Sequence, residues 1–168
     1  NIIPIEVDYS DAEKKLHDLL QEYADARSAD PNTVGGFSQG FVLKTLKKRL
    51  FSSPLAFSTT LQKHYDRRHG LNRDRDTSVE RLRPLKRFLR KAEEERSEDD
   101  EVAEQELSEA VEFATNRLQA LTEQQRTLLE NIRRMAESAS NRPDSKVKAL
   151  IVWLEENIRP NGGWTDER

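Results

Sequence analysis

Between Leu107 and Met135 the apolar positions Leu107, Val111, Ala114, Leu118, Leu121, Leu128, Ile132 and Met135 recur at alternating intervals of four and three, with Gln125 filling the remaining position. That is a heptad seam, and no Gly or Pro interrupts it. The intervening residues are mostly Glu, Gln, Asn, Thr and Arg, which suit the wet side of a helix. The pattern predicts one helix roughly 45 Å long at 1.5 Å per residue. A strut of that kind must lay its stripe against something else. Gln125 either fixes the register of that contact or sits at a loosely packed point.

The remainder of the chain divides into shorter periodic segments. Ile3, Ile5 and Val7 alternate with Pro4 and Glu6, which predicts at most a short N-terminal edge strand. Ser10-Asp11-Ala12-Glu13 is a capping box, with Ser10 at N-cap and Glu13 at N3. It opens a helix over about Asp11–Arg27 whose buried stripe is Leu16, Leu19, Leu20, Tyr23 and Ala24. Ser28 to Gly36 contains Asp-Pro-Asn and Gly-Gly and reads as a loop. From Ser38 to Phe51 a basic amphipathic helix follows, then Ser53-Pro54 stops it and starts another that runs to Gly70. Ser78 caps a further basic helix to Ala92, with Pro84 as a point of kinking. Asp144 or Ser145 caps the last helix, which carries Val147, Leu150, Ile151, Leu154 and Ile158 and stops at Pro160.

Composition narrows the class. Among 168 residues, hydrophobic and charged side chains are equal at 35%, and Gly and Pro number only six each, which favours thin helical layers over a turn-rich β fold. Cysteine is absent, so disulfides and thiolate metal sites are excluded and a cytoplasmic setting is expected. No apolar run approaches the ~18–20 residues of a membrane span, and no signal pattern opens the chain.

The net charge of -3 conceals a division. Lys44 to Lys91 holds fifteen Lys or Arg against four acidic residues, whereas Ala92 to Glu112 holds eleven Asp or Glu against Arg96 alone. A basic block can bind a polyanion, but adjacent basic and acidic helices can also neutralise one another. Both readings stand on composition.

Catalytic patterns are missing. The diglycine Gly35-Gly36 lacks the spacing and the Lys-Ser or Lys-Thr of a phosphate loop, and the acidic block lacks the glycine and spacing of a calcium loop. His64 and His69 are five apart and do not converge as an i, i+4 pair would, while His17 lies off the apolar stripe of its helix. No nucleophile has a plausible base. The chain alone is therefore expected not to be an enzyme, with no metal or cofactor of its own.

Three stretches carry a resemblance. Ile2 to Arg27, with its Ser-Asp-Ala-Glu cap and Gln-Glu-Tyr-Ala-Asp-Ala-Arg ending, resembles the exit from the first RecA-like lobe of SNF2-related superfamily 2 helicases. Ser145 to Arg168, with Ser-Lys-Val-Lys-Ala-Leu-Ile-Val-Trp-Leu and Trp-Thr-Asp-Glu-Arg, looks like the approach to the first strand of their second lobe. Arg49-Leu50-Phe51-Ser52-Ser53-Pro54-Leu55-Ala56 is similar to a segment of bacterial members, including helicase-like phage-defence proteins. About half of the chain is covered. The resemblance implies a connector and helical insertion between two ATPase lobes, with ATP and Mg belonging only to the parent protein.

The expected fold is all-α, a helical bundle built on the long heptad helix. Residues 1–36 would leave an upstream lobe, 37–143 would form the insertion, and 144–168 would lead into a downstream lobe. The seam should be buried mainly against the helices from Ser38 to Ala92. Lys44, Lys47, Lys48, Lys63, Arg67 and Arg68 are the candidate contacts to DNA phosphates, and the flanking lobes are the expected partners. The alternative is a helical interaction or self-association module that uses the heptad seam.

Overall fold

The computed structural model describes residues 4–27, 34–69 and 100–159, and among these every regular element is α-helical. The helices are α1 (Asp11–Ala26), α2 (Val34–Ser52), α3 (Pro54–His69), α4 (Asp100–Thr115), α5 (Glu123–Ser140) and α6 (Ser145–Asn157). The basic helix expected over Ser78–Ala92, the Gly70 terminator, most of the loop at Ser28 and the loop at Asn161 lie outside the described residues. Residues 4–10 form no strand.

Local chemistry sets most boundaries. The Ser10–Glu13 capping box is present in both directions, as the sequence predicts for α1. Ser53 accepts a hydrogen bond from the Ala56 amide, 3.3 Å, and Pro54 takes the first position of α3. Asp144 accepts from the Val147 amide, 2.8 Å, and starts α6. α2 begins at Val34, earlier than expected, with the diglycine inside its first turn. There a Cβ on Gly35 would meet the Arg117 carbonyl oxygen at 3.5 Å, an ordinary van der Waals contact, so the helix start lies beside the hairpin turn without glycine being required.

The single long helix is not formed. The seam folds into a hairpin, because α4 ends at Thr115 and α5 begins at Glu123. Thr122 and Gln125 make a second capping box: the Gln125 amide donates to Thr122 Oγ1, 3.3 Å, and the Thr122 amide donates to Gln125 Oε1, 3.1 Å. Gln125 is thus a helix-start residue. The sequence signal for it is Thr-Glu-Gln-Gln, which a continuous heptad count passes over.

Helix α3 is the centre of the bundle and packs on α2, α4 and α5, while α1 closes the opposite side against α5 and α2 packs on α4. Its Phe57 and Leu61 are fully buried among Leu20 and Tyr23 of α1, Val42 and Leu46 of α2, Val111 and Ala114 of α4, and Leu129 and Ile132 of α5. Each such side chain contributes about 1.5–3 kcal/mol by leaving water. Val111, Ala114, Leu128 and Ile132 of the seam are buried here, and Leu118 and Leu121 plug the hairpin turn. The seam is therefore consumed within the chain, as expected, though by two helices and a turn. Among the described helices, α6 alone has no buried residue.

Candidate functional site

The six basic candidates fall into three environments. Lys44 and Lys48 are exposed on α2, four residues apart and so on one face. Lys47, beside them, is half-buried and donates to Gln21 Oε1 of α1. Lys63 and Arg67 point from α3 toward α4, where Lys63 donates to Ser108 Oγ and Arg67 forms an ion pair with Glu112. Arg67 Nε is 2.9 Å from that carboxylate. Arg49 of α2 pairs likewise with Glu104. Two of the acidic residues of α4 thus answer cations on α2 and α3, which is the neutralising arrangement that composition left open.

Arg68 is only 7% exposed. Its Nη1 donates to the Leu118 carbonyl, 3.2 Å, and its Nη2 to that of Gln119. Arg27 of α1, 5% exposed, reaches the same turn, donating to Gln119 O at 3.3 Å and Gln125 Oε1 at 3.2 Å. Two buried guanidiniums therefore grip the carbonyls just past the C-terminus of α4, where the helix dipole favours cations. Burial lowers the Arg27 pKa, partly offset by the nearby Tyr23. This position serves the hairpin rather than a surface that phosphate reaches.

Beside them a polar chain crosses the core. The Tyr23 hydroxyl lies 3.0 Å from His64 Nε2, and His64 Nδ1 lies 2.9 Å from Thr115 Oγ1. A neutral imidazole satisfies both contacts, donating through one nitrogen and accepting through the other. All three residues are fully buried. Burial raises the Tyr23 pKa against the opposing pull of Arg27 and Arg68. The chain ties α1, α3 and α4 together.

The most heavily bonded surface carboxylate is Glu13. Besides Ser10, it accepts from the Ser145 amide at 2.9 Å and from the Ser145 hydroxyl, so one side chain caps the N-termini of both α1 and α6. Ser10 also donates from its amide to Ser145 Oγ, 3.3 Å. Burial pushes the Glu13 carboxyl up, but the hydrogen bonds from Ser10 and Ser145 outweigh it and hold its pKa at about 2. Lys146 secures the root of α6 from the other side by donating to the Phe51 and Ser52 carbonyls, the latter at 2.9 Å. Next to the clasp, α1, α5 and α6 enclose a cleft of 650 Å³ whose cationic lining is Lys15, Arg134, Arg142 and Lys148.

Beyond its root α6 presents a largely exposed apolar face. Val147, Leu150, Ile151, Val152, Leu154 and Ile158 are each between 36% and 51% exposed. The sequence predicts the helix and its cap, but only the structure shows how much of its apolar surface is left exposed. Among the described residues no group of three or more His, Cys, Asp or Glu is placed to hold a metal ion. No helix among them is long and apolar enough to cross a membrane. Comparison of the chain with known protein families, with characterised proteins and with solved structures gives no match.

Proposed function

We propose that this chain is a non-catalytic helical connector of an ATP-dependent SNF2-like DNA helicase or translocase, setting the geometry between two ATPase lobes and touching the DNA backbone. The observation that carries the reading is the clasp at Ser10, Glu13 and Ser145. The body formed by the described helices α1 to α5 starts and finishes at one point, which is how a domain is inserted into another without separating its host segments. The motif resemblance supplies the identity of the host. In that setting the clasp fixes the direction in which α6 leaves the body.

Backbone contact is assigned first to the exposed Lys48 of α2 and to Lys15 and Arg142 on the rim of the cleft. Lys44, on the same face as Lys48, and Lys47, Lys63 and Arg67 have partners within the chain and act as secondary contacts. Self-association through the 107–135 seam is not favoured, since pairing there requires the bundle to open.

Fluorescence anisotropy with duplex DNA over a salt series tests the contact. Binding should fall with log salt at a slope near -0.9 per neutralised phosphate. Reversing Lys44 and Lys48, or Lys15 and Arg142, to Glu should weaken binding and flatten the slope by about two such steps. An affinity untouched by both reversals removes DNA contact from the reading.

A further inference from the structure

We infer that α6 is a homodimerisation helix, and that two copies of this chain pair through an antiparallel contact of their α6 helices. Val147, Ile151, Leu154 and Ile158 are spaced four, three and four apart, so they form one stripe of a short coiled coil. All four are exposed, between 36% and 46%. This second, shorter heptad is the one left on the surface once the 107–135 seam is used internally.

Charge identifies a second copy as the occupant and sets the orientation. With the stripe at the d and a positions, Lys148 and Glu155 both fall at e, flanking the stripe at opposite ends of the helix. They are seven residues apart, about 10 Å, too far to pair within one helix. Both are exposed, and among the described residues neither takes part in an ion pair. In an antiparallel pair, Val147 packs against Ile158 of the other copy and Ile151 against its Leu154. The same register sets Lys148 opposite the other copy's Glu155, and two-fold symmetry makes that pair twice. A parallel pair places Leu150 across from Glu155 and Pro143, ahead of the helix, across from Lys148, and gives neither charge a partner. The antiparallel arrangement also sets the N-terminal end of one helix against the C-terminal end of the other, which the helix dipoles favour.

The rooted base of α6 makes this surface a rigid one. Glu13 and Lys146 hold its first turn on the body, so little orientational freedom is lost on pairing. The interface is small, and the dimer belongs in the weak, micromolar class. The inference rests on α6 alone and does not require the helicase reading.

Sedimentation equilibrium of the whole chain over about two decades of concentration around that range tests it. The wild-type chain should pass from monomer to dimer. Ile151→Asp should abolish the dimer while circular dichroism and the thermal melt stay unchanged, because Ile151 is exposed and lies outside the buried core cluster. Lys148→Glu and Glu155→Lys should each weaken the dimer roughly tenfold by turning two attractions into two repulsions, and the double exchange should restore it. A chain that is monomeric throughout, as it would be if the α6 stripe were reserved for a different protein surface, overturns the inference. So does a dimer indifferent to Ile151→Asp. Single and double charge variants of equal affinity would refute the antiparallel register.

Discussion

Residue chemistry in this protein is spent mainly on helix ends and turns. Arg68 sits within a run of basic residues and reads as surface charge, yet it donates to Leu118 and Gln119 in the hairpin turn. Nothing local distinguishes it from Arg67, which pairs with Glu112 one position away. Only the rotation of α3 in the bundle sends one inward and the other outward. Glu13 shows the reverse case, because its capping role follows from Ser10 three residues earlier, whereas its reach to Ser145 depends on tertiary placement. Its pKa of about 2 lies below the ordinary 4.5, so its stabilisation is present above pH 4.5 and is lost as pH falls toward 2. Glu13→Gln should remove that acid dependence and cost about 1–2 kcal/mol at neutral pH. Chemical denaturation of both proteins between pH 2 and pH 7 measures it, and parallel curves across that window would refute the assignment.

At the level of elements, three of the helix starts are written in short polar motifs: Ser10 to Glu13, Ser53-Pro54, and Asp144. The fourth, Thr122 to Gln125, is as explicit but is hidden by a seam whose register carries through the turn. Periodicity reports which residues seek the core, and both arms of an antiparallel hairpin seek the same core. It does not report where the backbone reverses. Thr122→Ala should cost about 0.5–2 kcal/mol by removing the α5 cap. Hydrogen exchange should show the loss concentrated in the first turn of α5 before the core opens, and uniform loss of protection would count against a local cap.

On the scale of the whole molecule, α3 joins the parts. Its Phe57 contributes to a core shared with all four neighbouring helices, and Phe57→Ala should destabilise by about 3–5 kcal/mol in one cooperative transition. Separate melting of the α4–α5 hairpin in that variant would show the bundle to be less unified than its contacts indicate. The charge division also resolves at this scale. Arg49 with Glu104 and Arg67 with Glu112 cross helix interfaces, and as surface pairs they contribute only ~0.2–1 kcal/mol each. They orient α4 on α2 and α3 while apolar burial supplies the stability.

The sequence by itself determined that the chain is helical, where α1, α3 and α6 begin, and that the 107–135 seam belongs inside. Those properties follow from capping chemistry and side-chain spacing, which act over a few residues. The tertiary structure decided that the seam folds back on itself, that Arg68 serves a turn, that Glu13 clasps two helices, and that the apolar side chains of α6 are left exposed. Each of these depends on which surfaces are already covered by other parts of the chain, a property that no window of sequence contains.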